Sequence, residues 1–367
     1  MQPLIHSKVL TVSTFILWLC FARKQFSISP NYYPDELDNS MKITSLKNRN
    51  LLTMNEFNQS ELSHLIDRAI ECKRLKKDRI FNLGLNHLNI CGIFLKPSGR
   101  TSTSFVVASY DEGAHFQFFP ADNIRFGHKE SIKDFARVVG RLFDGIAFRG
   151  FEHEVAEELA KHSGIPVWNA LTDTHHPTQV LADVMTVKEE FGRIEGVTIA
   201  YVGDGRNNMV TSLAIGALKF GYNLRIIAPN ALHPTDAVLA GIYEQTPERN
   251  GSIEIFTEVA AGVHQADVIY TDVWISMGES VSVEERIALL KPYKVTEKMM
   301  ALTGKADTIF MHCLPAFHDL DTEVARETPD LVEVEDSVFE GPQSRVFDQG
   351  ENRMHTIKAL MLETVVP

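Results

Sequence analysis

Cysteine is scarce. The 367-residue chain has four, Cys20, Cys72, Cys91 and Cys313, and no two form a Cys-x-x-Cys pair. That spacing supports neither a disulfide framework nor a zinc knuckle, and free thiols fit a reducing compartment, so a cytoplasmic setting is expected. Positive charge is also short: 36 Lys and Arg face 48 Asp and Glu, a net charge of −12. Such a balance argues against nucleic acid as the main partner, and any anionic ligand must be met by local cations. Nucleotide motifs are missing. There is no Walker loop, and "GDGRNN" (203–208) lacks the third glycine of a dinucleotide fingerprint, which argues against a nicotinamide cofactor. The histidines at 175, 176, 312, 318 and 355 form no His-x-x-x-His pair, and no carboxylate cluster stands beside them in the sequence, so no metal is expected.

Long apolar runs are equally rare. One stands near the start, "VLTVSTFILWLCFA" (9–22), with Lys8 before it and Arg23-Lys24 after it. It is short for a membrane span and long enough for a signal-peptide core. The first forty residues are expected to be an extension outside the fold, which then opens at Met41. A targeting peptide is the alternative, and no membrane partner is expected.

Beyond Met41 short apolar strands alternate with amphipathic helices. Residues 88–96, 115–119, 145–150 and 165–170 read as one strand series. Residues 196–205, 223–230, 252–258, 266–273 and 307–314 read as a second. Near-continuous apolar strands separated by helices indicate parallel sheets covered on both faces. The fold class expected is therefore α/β, with two doubly wound parallel-sheet domains joined by interdomain helices. The domains are expected at 41–180 and 181–350, with a last helix, 351–367, folded back on the first.

Ligands of open parallel sheets bind beyond the C-terminal strand ends. "SGRTST", "RG", "HPTQ", "GDGRNN", "TDVWISMG" and "HCLP" each lie at or soon after such an end. In "SGRTST" (98–103) a helix starting at or near Thr101 leaves its first N–H groups unpaired, Gly99 allows close approach, and Arg100 offers a planar fork. Together these read as a phosphate cradle, although an N-cap cluster with a surface arginine reads the same way. Arg149 ends a strand aimed at the same crevice, where a strand-end salt bridge is the plainer role. His176 and Gln179 lie three apart on one helical face and suit a carbamoyl group, His176 donating to its oxygen. Asp272 can hold an ammonium group, and Cys313 is either its neighbour or a buried structural thiol.

Taken in order, the phosphate loop, "FRG", "HPTQ", "DVWISMGE", "HCLPAFHD" and "FDQGENRMHTIKA" resemble the transcarbamoylases, and Asp272 with "SMG" and "HCLP" resembles their ornithine branch. The likeness runs from about residue 45 to the C-terminus. It implies transfer of a carbamoyl group from carbamoyl phosphate to L-ornithine without a cofactor, in arginine biosynthesis or, with the direction of flux left open, in arginine breakdown. It also implies a homotrimer, or a multiple of trimers, with active sites between subunits. Carbamoyl phosphate contacts carried over by position are Ser98, Gly99, Arg100, Thr101, Arg149, His176, Gln179, Cys313, Leu314 and Arg353. Ornithine contacts are Asn208, Asp272, Ser276 and Met277. Arg149, His176, Asp272 and Cys313 would be catalytic, Cys313 as a positioning group and not a nucleophile.

Two departures from the family pattern alter the cradle. Its loop usually reads Ser-Thr-Arg-Thr-Arg, and here it is Ser98-Gly99-Arg100-Thr101-Ser102. Arg125 replaces a usual glutamine before "GHKES" and restores part of the lost charge to carbamoyl phosphate. Weaker binding of the donor and of tight bisubstrate inhibitors follows, as in a toxin-resistant isoenzyme. A carbamoyltransferase for another amine such as putrescine and a non-catalytic paralogue are the competing readings. Asp272 with "SMG" argues against the first, and Gly99 with Ser102 keeps the second open.

Overall fold

The computed structural model describes residues 45–366, apart from 121–123, 125, 127–129 and 276–280. The apolar run 9–22 and Met41 therefore lie outside the described residues, as do Arg125, Ser276 and Met277. No helix among the described residues is long and apolar enough to cross a membrane.

All nine expected strands form. The first four are β1 (Asn89–Phe94), β2 (His115–Pro120), β3 (Gly145–Arg149) and β4 (Val167–Leu171). They make one parallel sheet in the order β2-β1-β3-β4. The second sheet, also parallel, has the order β7-β6-β5-β8-β9. Its strands are β5 (Thr198–Val202), β6 (Asn223–Ile227), β7 (Ser252–Phe256), β8 (Val268–Thr271) and β9 (Ile309–His312). Central strands are mostly apolar because both faces are covered, and every residue of β8 and β9 is buried. Each sheet is wound outward in both directions from a switch point, between β1 and β3 in the first and between β5 and β8 in the second. At such a point the two following loops diverge and leave a crevice beyond the strand ends.

The helices of two turns or more are α1 (Gln59–Lys77), α2 (Gly99–Asp111), α3 (Ile132–Leu142), α4 (His153–Ser163), α5 (Pro177–Phe191), α6 (Asn208–Phe220), α7 (Asp236–Gln245), α8 (Val283–Leu290) and α9 (Val346–Val365). Asn58 and Glu61 close a capping box at the start of α1. Two helices bind the sheets into one body. α5 is buried without interruption from Pro177 to Val187, and the boundary expected between 180 and 181 falls inside it. α9 packs on α1, α2 and α5 and buries 14 of its 20 residues. One apolar core accordingly joins Ile90, Phe94 and Trp168 of the first sheet to Ile199, Tyr201 and Leu224 of the second. Each such fully buried side chain contributes about 1.5–3 kcal/mol. Because α9 lies against both α2 and α5, a residue on its inner face reaches the N-terminal ends of both.

Candidate active site

The first switch point opens directly onto the start of α2. Helix geometry begins at Gly99, two residues before the expected Thr101, and Ser98 is the extended N-cap (φ −158°, ψ 108°). Its side chain makes no capping bond. The first N–H groups of the helix are therefore left without a side-chain cap, at the positive end of the helix dipole. The hydroxyls of the next turn are not free. Ser102 donates to the Ser98 carbonyl, with the Gly99 carbonyl at 3.0 Å, Thr103 donates to the Gly99 carbonyl at 2.8 Å, and Ser104 to the Arg100 carbonyl at 2.9 Å. Three of the hydroxyls that made this stretch conspicuous are spent on their own backbone. A Cβ at Gly99 would meet no atom within 4 Å, so that corner is open.

Three guanidinium groups converge here from three elements: Arg100 on α2, Arg149 at the end of β3, and Arg353 on α9. Among the described residues Arg100 and Arg149 make no side-chain hydrogen bond or ion pair, and the buried Nε of Arg149 has no partner. Arg353 is bound only to neutral groups. Its Nη1 donates to Gln179 Oε1 at 2.8 Å, and its Nη2 donates to His176 Nε2 at 3.0 Å and to the Thr101 hydroxyl oxygen. Burial, and then repulsion by Arg100 on Arg149 and by Arg149 on Arg353, pushes Arg149 and Arg353 down to about 10, which leaves both charged at neutral pH. Unpaired cations gathered at a helix N-terminus are an anion site.

His176 caps α5, and its backbone N–H donates to Ser212 Oγ at 2.8 Å. Arginine only donates, so Nε2 of His176 accepts and the ring proton sits on Nδ1, facing the Thr178 hydroxyl at 3.4 Å. Burial, then Arg353 and Arg149, holds this imidazole neutral by pushing its pKa well below the usual value. The expected donation by His176 to a carbamoyl oxygen is thus not available through Nε2 while Arg353 occupies it. Gln179 is likewise engaged at both ends, its Nε2 donating to Asp183 Oδ1 at 2.8 Å. Thr101 accepts from Arg353 and keeps its own proton free to donate.

The second switch point supplies an acidic counterpart. Asp272 follows β8, and Cys313 follows β9. Burial, and then the Asp272 charge, pushes the Cys313 thiol well up, so it stays protonated and donates to Asp272. Asp272 also accepts from Asn207 Nδ2 at 3.3 Å and from the Val273 N–H at 2.8 Å. Asn207 caps α6, and the same amide donates to Tyr201 Oη at 2.6 Å. Gly203, at φ +145°, provides the turn from β5 toward that cap, a conformation glycine takes without strain. Asn208 Nδ2 donates to the Thr172 carbonyl at 2.8 Å. Leu314, at φ +56°, donates its N–H to His312 Nδ1 at 2.9 Å.

Contrary to the sequence reading, two carboxylates, Asp319 and Asp336, do stand beside one of the histidines named there, His318, and at the site ligand atoms of Asp272, His312 and Cys313 lie within 4.8 Å of one another. The donor set does not suit a metal. His312 accepts at Nδ1 from Leu314, and its Nε2 donates to buried Glu333 at 3.1 Å, so neither nitrogen has a free lone pair.

The described residues among those carried over from the family pattern therefore form two neighbouring groups. Cys313 lies within the field of Arg100, Arg149 and Arg353, which brings the acidic pair against the cationic cluster. Sequence reasoning did not single out Asn207, Asp183, Gln349, Tyr270 or Glu333. Asn207 stood beside Asn208 in "GDGRNN" and carried the better cap signal. The others are polar residues inside apolar elements, and only the packing shows what they hold.

A two-sheet α/β body with cations that lack an acidic partner gathered beyond its strand ends is the class these features define. Sequence comparison takes the assignment further. Residues 49–189 match the "Aspartate/ornithine carbamoyltransferase, carbamoyl-P binding domain" and residues 195–364 the "Asp/Orn binding domain" of the same family. The chain is 50% identical over 325 residues to a catabolic ornithine carbamoyltransferase of Staphylococcus aureus (strain N315), covering 87% of this chain and 97% of that one. It is 48% identical over 326 residues to the catabolic ornithine carbamoyltransferase of Bacillus licheniformis, covering 88% and 97%. The ornithine carbamoyltransferase structure from Pyrococcus furiosus superposes with a TM-score of 0.79 at 37% identity, covering 88% of this chain and 99% of that one. The chain belongs to the aspartate/ornithine carbamoyltransferase family.

Proposed function

We propose that the chain transfers the carbamoyl group of carbamoyl phosphate to the δ-amine of L-ornithine, giving L-citrulline and phosphate. One observation carries the reading: three guanidinium groups without an acidic partner face a paired carboxylate and thiol across one crevice. The cations suit a phosphorylated donor, and the carboxylate suits an amino acid's ammonium group. The relatives' names agree.

Charge dictates the steps. The donor's phosphoryl oxygens take the first N–H groups of α2 with Ser98 and Arg100. Arg149 and Thr101 donate to the carbamoyl oxygen, and His176 joins them when Arg353 turns toward the anion and the imidazole carries its proton on Nε2. Ornithine's neutral δ-nitrogen attacks the carbamoyl carbon, and the oxyanion so formed is held by these donors. The carbon–oxygen bond to phosphate then breaks, phosphate leaves with the electron pair, and the proton lost by nitrogen goes to it. Asp272 fixes the α-ammonium group with Asn208 nearby, while the neutral Cys313 thiol positions the acceptor without forming a covalent bond.

A homotrimer in the cytoplasm is the setting this reading takes. The catabolic names of the relatives favour arginine breakdown over biosynthesis. The open space at Gly99 is consistent with weakened grip on tight bisubstrate inhibitors, and so with toxin resistance. A colorimetric citrulline assay with carbamoyl phosphate, run over ornithine, putrescine and aspartate, tests the reaction. Product with ornithine alone is expected; product with putrescine alone, or with no amine, overturns it.

A further inference from the structure

Between the two halves of the site lies a carboxylate that the transfer chemistry leaves unused. Asp183 is fully buried on α5, one turn beyond Gln179, and no cation touches it. Its Oδ1 accepts from Gln179 Nε2 at 2.8 Å and from Gln349 Nε2 at 2.6 Å, and its Oδ2 accepts from Tyr270 Oη at 3.2 Å. Burying an unpaired carboxylate is costly. Burial raises this one to about 7, against the pull of its three hydrogen bonds and of Arg353.

Each glutamine is held between a group that only accepts and a group that only donates. Gln179 has Asp183 at its nitrogen and Arg353 at its oxygen, at 2.8 Å each. Gln349 has Asp183 at its nitrogen and the His312 backbone N–H at its oxygen, at 3.0 Å. An amide is nearly symmetric in shape, so packing alone does not choose between its two orientations; an acceptor on one side and a donor on the other does. His312 ends β9 and immediately precedes Cys313, while Tyr270 lies two residues before Asp272 on β8.

We infer that Asp183 is a positioning residue for the transfer: by orienting Gln179 and Gln349 together, it sets Arg353 on the donor side and the His312–Cys313 backbone on the acceptor side from one buried point. The inference rests on the functional reading above. It concerns amide orientation and not charge, because a carbonyl oxygen at the Oδ1 position accepts from both glutamines equally well, with Tyr270 Oη taking a proton from the other atom.

Three variants separate the possibilities: Asp183→Asn, which keeps a carbonyl oxygen; Asp183→Leu, of similar volume with no acceptor; and Gln349→Leu, which cuts only the acceptor-side arm. Initial rates are measured over both substrates, with thermal melting to confirm folding. Asp183→Asn should keep kcat and both KM values within about threefold. Asp183→Leu should lower kcat at least about 30-fold and raise the carbamoyl phosphate KM at least about tenfold. Gln349→Leu should lower kcat about tenfold and leave the donor KM alone. If Asp183→Leu does not fold, Gln349→Leu and Asp183→Asn still decide. Unchanged kcat in Gln349→Leu, or an Asp183→Asn as impaired as a folded Asp183→Leu, overturns the inference. If the wild-type chain makes no citrulline, the functional reading fails separately. Calorimetric titration of inorganic phosphate into wild type and Asp183→Leu then reads the donor-side arm by itself, and equal affinity overturns it.

Discussion

Replacing Arg353 by methionine is the perturbation whose outcome the geometry fixes best. The side chain is 5% exposed and comes from α9, remote in sequence from Thr101, His176 and Gln179, which it touches. Two opposed effects act on stability. Truncation strands Gln179 Oε1, His176 Nε2 and the Thr101 oxygen, at about 1–3 kcal/mol for each group left without a partner. It also removes a buried cation whose desolvation costs several kcal/mol, and relieves its repulsion with Arg149. These terms nearly cancel, so the melting temperature should move by no more than about 4 °C. Donor binding has no such compensation. A unit charge about 4 Å from an anion in a surface crevice is worth about 4 kcal/mol, and allowing for screening about 2.7–4 kcal/mol is lost. At about 1.36 kcal/mol per tenfold, the carbamoyl phosphate KM should rise about 100- to 1000-fold. Initial-rate citrulline formation against donor concentration, at fixed ionic strength and saturating ornithine, measures it. A donor KM within threefold of wild type, in a protein that melts normally, would refute the reasoning.

Other outcomes follow from the same contacts. Asp272→Asn keeps the bond from Val273 and loses the charge, so the ornithine KM should rise at least about 30-fold with carbamoyl phosphate binding unchanged in calorimetry. Gly99→Thr with Ser102→Arg places a hydroxyl where no atom lies within 4 Å and adds a cation; a phosphonate bisubstrate analogue should inhibit this variant at least about tenfold more strongly, and equal potency would remove the resistance reading. His175 is pushed down to about 3 by burial and stands 4.7 Å from the His153 ring. Between pH 6.5 and 5 the unfolded chain binds a proton there that the folded chain refuses, so stability falls as pH drops, by about 2 kcal/mol from this group. Asp183, raised to about 7, acts in the opposite direction over that range, so the comparison must be made against His175→Phe. Chemical denaturation at the two pH values should show that variant losing about 2 kcal/mol less than wild type.

What could be read in advance follows a physical divide. The central strands were legible because a parallel strand buried on both faces is a nearly unbroken apolar run, as in "TIAYV" and "VIYT", and the half-exposed edge strands β2 and β7 were legible from short aromatic and β-branched runs between turn residues. Loop residues such as Arg149, Asp272 and Cys313 were legible because topology puts chemistry just past strand ends. Arg353 came from the family resemblance alone: nothing in a helix near the C-terminus announces that it reaches the start of α2. Hydrogen-bond direction was not legible either. "SGRTST" reads as a row of ligand donors, yet its Ser102 and Thr103, like the Ser104 that follows, bond their own helix. His176 looked like a donor and accepts from Arg353. Composition along the chain shows which groups are present; only packing decides which of their lone pairs and protons are already used.

The account rests on cations gathered without an acidic partner, and equilibrium binding of carbamoyl phosphate in the absence of any amine tests that most directly. Calorimetric titration should show wild type binding the donor, and Arg149→Met, which deletes a guanidinium that makes no hydrogen bond or ion pair among the described residues, binding it at least about 100-fold more weakly. Equal affinity in the two proteins would contradict it.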